Sequence, residues 1–94
     1  MKKIAAVDKA TTADSPWQSL ANAIVIVAAD DYRRCLRKLS EPYISDEDRA
    51  KWVRRRDECV SFFKSEWCKM LTKVSGTKIM DAIRNEVENE NQTA

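Results

Sequence analysis

Histidine is absent from these 94 residues, glycine occurs once and proline twice. Without histidine there is no side chain whose ordinary pKa suits general base work near neutral pH, and no imidazole to complete a typical zinc site. The scarcity of glycine and proline leaves little material for hairpin turns and none for a glycine-rich phosphate loop. No apolar run approaches the roughly 20 residues needed to cross a bilayer. The start, Met1-Lys2-Lys3, is followed by no apolar core of the kind a secretory leader carries. The three cysteines, Cys35, Cys59 and Cys68, form no CxxC pair and are odd in number, so neither a zinc site nor a disulfide framework is expected. These absences predict a protein of the reducing cytosol, with no metal, no cofactor, no membrane contact and no enzymatic activity.

What is present points to helix. Charged residues make up 34% of the chain, and the thirty residues from Ser45 to Val74 contain neither glycine nor proline. Alanine, arginine, lysine and glutamate are good helix formers, so an all-α fold follows. Ser15-Pro16-Trp17-Gln18 is a start signal, because Ser15 can cap, Pro16 suits the first helical position and Gln18 can complete a capping box. A first helix is predicted over residues 16–39. Ser45, followed by Asp46, Glu47 and Asp48, caps a second over 46–73 and puts negative charge on the positive end of its macrodipole. A third is expected over 77–87. Residues 1–14 read as a mobile arm, and the polar stretch 88–94 as a frayed, disordered tail. The architecture expected for 15–87 is a small three-helix antiparallel bundle.

At 100° per residue, Trp17, Leu20, Ala21, Ile24, Val27, Ala28, Tyr32, Cys35 and Leu39 fall on one side of the first helix, while Ile26, Arg33 and Arg37 point away. The run Ile24-Val25-Ile26-Val27 also fits a buried strand, since four β-branched residues suit a pleated sheet. On the second helix the inward stripe is Trp52, Val53, Cys59, Val60, Phe63, Trp67, Met70 and Leu71. Ile79, Met80, Ile83 and Val87 supply the third. Reflecting the chain about short connections brings Trp17 level with Trp67, and Ile83 and Val87 level with Trp67 and Phe63. Trp67 is therefore expected where the three helices converge. The same reflection separates Cys35 from Cys59 by about 13 Å and places Asp31 within a turn of Arg56, which predicts a buried or half-buried ion pair. Cys68 falls on the outer side and reads as a surface thiol.

The formal charge of +2 is unevenly spread. Residues 33–73 hold twelve bases and seven acids, whereas the flanking segments are slightly acidic. Arg33, Arg34, Arg37 and Lys38 come level with Lys51, Arg54 and Arg55, a cluster that could displace counterions from a phosphate backbone. Glu41, Asp46, Glu47 and Asp48 occupy the same end, so a solvated charged surface is the competing reading. Phe62 falls at a flank with Arg55, Glu66 and Lys69, and Ile26 lies on the outer side of the first helix. Exposed aromatic and arginine residues are enriched at binding hot spots, which makes these five the candidate partner-binding residues. Burial of Phe62 under the third helix or the N-terminal arm is the alternative.

The segments Ala23–Leu39, Glu58–Gly76 and Ile79–Val87 resemble a group of small phage and prophage proteins of Gram-positive bacteria over about two-thirds of the chain. The group shares a DYR-x-x-L-R-x-L helix, met here by Asp31, Tyr32, Arg33, Leu36, Arg37 and Leu39. It also shares an FF-x-S-x-W-x-x-x-L-T segment, met by Phe62, Phe63, Ser65, Trp67, Leu71 and Thr72. The chain departs from the group in its cysteines and in its linker. The resemblance implies a viral or mobile-element origin and no particular activity. Together with the absence of catalytic motifs, it leads to the expectation of an accessory protein that binds and modulates a larger host or phage protein, for instance a nuclease of bacterial immunity. A nucleic-acid-binding accessory of phage replication or recombination is the second expectation, and a homo-oligomer that buries Phe62 and Ile26 is the third.

Overall fold

A computed structural model describes residues 15–93; the mobile arm expected over 1–14 lies outside them. Among the described residues the chain forms four helices rather than the three expected, α1 (Pro16–Leu39), α2 (Asp46–Phe63), α3 (Glu66–Leu71) and α4 (Gly76–Thr93). No strand occurs among the described residues, and Ile24–Val27 lies within α1. The β-branched run is helical because it is embedded in a long capped segment with no partner strand. Ser15 accepts the Gln18 N–H at 3.0 Å and Pro16 occupies the first turn, as the start signal requires. Gln18 does not close the capping box; its amide donates to Asn22 one turn on, at 3.0 Å. Ser45 accepts the Asp48 N–H at 3.1 Å, and three acidic residues follow it in the first turn of α2.

The long second helix expected over 46–73 is broken after Phe63. Ser65 Oγ donates to the Phe62 carbonyl at 2.6 Å and accepts the Cys68 N–H at 3.1 Å. One hydroxyl thus takes up a carbonyl at the end of α2 and an N–H at the start of α3, offsetting the hydrogen bonds lost where the helix stops. The break rotates every later side chain off the α2 stripe. Trp67, expected at the point where three helices meet, is 46% exposed, whereas Cys68, expected on the outside, is 1% exposed. Cys68 and Leu71 are the buried residues of α3.

Two pairings set the directions of the long helices. Tyr32 stacks edge-on against Phe63 with ring centroids 6.1 Å apart, and Cys35 meets Cys59, so α2 runs antiparallel to α1. Arg33 meets Glu86 and Arg37 meets Glu90, a four-residue step in the same sense on each helix, so α4 runs parallel to α1. The register of α1 against α2 differs from a tight reflection about Pro42. Phe63 lies against Tyr32, because the six residues Ser40–Ser45 have the reach, up to about 20 Å, to carry the chain along before α2 begins. This slide brings Cys35 and Cys59 together where about 13 Å had been expected. It also undoes the expected Asp31–Arg56 pair: Asp31 is exposed, and Arg56 pairs with its neighbour Asp57 at 3.2 Å.

The core is built from Tyr32, Phe63, Cys68, Met80, Ile83 and Val87, with Ala28, Leu36, Cys59, Val60, Phe62 and Ile79 packed around it. The apolar face of α4 is thus the one read from sequence, but α4 continues to Thr93 rather than fraying after Val87. Residues 88–93 supply no apolar anchor; Glu90 instead ties that turn to α1. At its other end α4 begins at Gly76, whose Cα packs so closely on α2 that an added Cβ would lie 1.9 Å from the Phe63 carbonyl oxygen. Only glycine allows that approach.

Candidate functional site

Three surfaces carry the residues singled out by sequence. The first is the seam between α1 and α4. Arg33 donates from Nε to Glu86 Oε2 at 2.6 Å and from Nη1 to Asp30 at 2.7 Å. Arg37 binds Glu90 with two parallel hydrogen bonds, 3.0 Å from Nε and 2.6 Å from Nη2, and lies 3.5 Å from Glu86. This fork geometry suits a guanidinium and a carboxylate. Donation from Arg37 holds the Glu90 carboxyl below its usual range, and the same bond raises Arg37. Beside the Arg33–Glu86 pair, Arg84 donates to the Tyr32 hydroxyl at 3.2 Å and also pairs with Asp81. Arg33 and Arg37 therefore close the bundle along this seam, while Lys38 lies 3.6 Å from Glu41.

The second surface is a groove of about 200 Å³ between α1 and α2, lined by Asp31, Arg34, Cys35, Trp52, Arg55, Glu58 and Cys59. Trp52 is half-buried, with Lys51 Nζ 5.2 Å and Arg55 Cζ 5.4 Å from its ring centroid. Cations so placed are attracted by the negative face of the indole. Arg34, Lys51, Arg54 and Arg55 are exposed, and of these Arg34 and Arg55 line the groove. Of the seven basic residues, Arg33, Arg37 and Lys38 are engaged by Glu86, Glu90 and Glu41, Lys51 and Arg55 flank Trp52, and Arg34 borders both groups. At the base of the groove, burial pushes the Cys59 thiol up to about 11 and raises Cys35 as well, though Arg55 and Arg34 pull Cys35 back.

The third surface is apolar and lies where α3 crosses the N-terminal part of α1. Trp17 and Trp67 meet edge to face with centroids 6.5 Å apart, the level that sequence reflection predicts for them. Both indoles remain about half exposed, together with Leu20 at 55%, Met70 at 66% and Val74 at 55%. A shallow depression of about 580 Å³ runs beside them along Lys69–Val74 and Gln18. Among the described residues, the slide of α2 leaves the six residues of α3 to cover this part of α1, and Trp17, Leu20 and Val27 are exposed on the stripe expected to face inward. Contiguous apolar exposure of this kind marks interaction sites.

The five candidate partner-binding residues do not gather on one face. Phe62 is half-buried and stacks on Phe63 at 5.3 Å, packed against the core. Arg55 belongs to the groove, Ile26 is exposed on α1, and Glu66 and Lys69 form an exposed pair at 3.0 Å on α3. Only Lys69 borders the apolar depression. The exposed cluster of Trp17, Leu20, Trp67, Met70 and Val74 was not singled out from sequence. Its signal was Ser65-Glu66, a helix start inside a run that otherwise reads as one helix.

Comparison with protein-family models, with curated proteins and with solved structures found no match. Among the described residues no group of three or more His, Cys, Asp or Glu side chains is arranged to hold a metal, and no helix is long and apolar enough to cross a membrane.

Proposed function

We propose that this protein is a non-enzymatic accessory protein of a phage or related mobile element that binds and modulates a larger host or phage protein, a nuclease of bacterial immunity being the target class. The observation that supports the reading is the exposed cluster Trp17, Leu20, Trp67, Met70 and Val74. Large apolar side chains left half in water are costly for a chain of this size, and docking recovers that cost. Rigid aromatic anchors also lose little entropy when they bind. Lys69 and Lys73 edge the depression beside the cluster, so the complementary partner surface is an apolar ridge bordered by carboxylates. The mobile-element origin rests on the resemblance of the DYR and FF segments.

The test is capture from host lysate by wild-type protein and by a Trp67→Ala/Met70→Glu variant, followed by reconstitution with the purified partner. A partner retained after nuclease digestion, lost with that variant and kept by Lys38→Glu agrees with this reading. Binding that survives the Trp67/Met70 change overturns the proposed face. If light scattering instead shows a dimer that the variant dissolves, the cluster serves self-association.

A second reading, binding of nucleic acid, is favoured by the half-buried Trp52 flanked by Lys51 and Arg55, since an aromatic beside cations suits single-stranded bases and phosphates. A mobility shift with single-stranded DNA or RNA that weakens steeply with salt and is lost in Arg54→Glu/Arg55→Glu would establish it; no shift at low ionic strength would remove it.

A further inference from the structure

Cys35 on α1 and Cys59 on α2 face each other across the two helices, and both line the interhelical groove. We propose that these two thiols form a dithiol modification site, oxidised by a low-molecular-weight disulfide to a Cys35–Cys59 bridge that pins α1 to α2. Thiol contact across antiparallel helices supplies the proximity that bridge formation needs. The two positions differ in access. Both line the groove, but Cys59 is only part-buried whereas Cys35 is 1% exposed. Cys68, 1% exposed on α3, is not among the residues lining the groove and serves as an internal reference.

Access fixes the order of events. The Cys59 thiolate attacks the reagent disulfide, forming a mixed disulfide and releasing one reagent thiolate. The Cys35 thiolate then attacks the Cys59 sulfur and expels the second. Both electrons end on the reagent, whose two sulfurs leave as thiols carrying the two protons lost from the cysteines. Arg34 on α1 and Arg55 on α2 line the groove and favour the Cys35 thiolate, while Asp31 opposes both thiolates and Glu58 opposes that of Cys59. Burial outweighs the guanidiniums and keeps both thiols protonated at neutral pH, so the reaction accelerates about tenfold for each pH unit below the thiol pKa.

The test uses the full chain, fully reduced, incubated with oxidised glutathione at mildly alkaline pH, then denatured, alkylated and mapped by mass spectrometry. The expected product has lost two hydrogens, retains one alkylatable thiol at Cys68, and yields a single cross-linked peptide joining Cys35 to Cys59. Dithiothreitol returns all three thiols, and the oxidised form melts at a higher temperature. A Cys35→Ala variant should stop at glutathione attached to Cys59. Should wild-type protein also stop there, keep three free thiols, or join either cysteine to Cys68, the assignment is overturned. The wild-type map decides the matter even if the variant folds poorly.

Discussion

Ser65 donates its hydroxyl to the carbonyl of Phe62 at 2.6 Å, and that contact divides what would otherwise be one long helix into α2 and α3. Because the same oxygen caps α3 through the Cys68 N–H, the break determines which of Trp67 and Cys68 enters the core. Ser65→Ala removes both interactions. A loss of about 1 kcal/mol is expected, the usual cost of an N-cap, as a lowered denaturation midpoint. An unchanged midpoint would mean that the break is imposed by packing alone.

Gly76 tests the other end of the same junction. An added methyl meets the Phe63 carbonyl oxygen, a backbone atom that no side-chain rotation can move away. Gly76→Ala should therefore destabilise the fold by about 2 kcal/mol or more, in the range of overpacking, despite alanine being the better helix former. A thermal melt that rose instead would show that α4 sits farther from α2.

The buried ring and the exposed ring should respond unequally to truncation. Phe63, 3% exposed, should cost about 3 to 5 kcal/mol as Phe63→Ala, typical of a large cavity. Trp67→Ala, from a half-exposed site, should cost about 1 kcal/mol or less. Chemical denaturation of the two variants decides the order, and the reverse result would restore Trp67 to the core.

Acid should loosen the α1–α4 seam from its C-terminal end. Glu90 has a lowered pKa in the folded chain, chiefly through donation from Arg37. A depressed folded value means that its contribution to stability is present above the ordinary glutamate pKa and is lost as pH falls through the folded value. Thermal midpoints followed from neutral to acid pH should fall across that window, and Glu90→Gln should flatten this part of the profile. Both residues are well exposed, so raising the salt concentration should weaken the effect. A profile identical in the two proteins would show that the pair contributes nothing.

Much of the local structure was legible in the residues. Ser15-Pro16 and Ser45-Asp46-Glu47-Asp48 marked two helix starts that the structure shows at those positions, and the i, i+4 spacing of Ile79, Ile83 and Val87 named the buried face of α4. These features depend on contacts within a turn or two, which a short window of sequence contains. The end of α4 was not legible, because residues 88–93 are held by Arg37 more than fifty positions away.

Composition and periodicity by themselves determined that this chain is helical, where α1 and α2 begin and which face of α4 is buried, since helix propensity, capping and amphipathic spacing are local. Tertiary structure alone decided the slide of α2 along α1, which joins Cys35 to Cys59, dissolves the Asp31–Arg56 pair and leaves Trp17 and Leu20 in water. The reason is physical. A six-residue connection permits several registers of nearly equal local energy, and the choice among them falls to the packing of Tyr32 against Phe63 and to the ion pairs of α4, contacts that exist only once the helices have met.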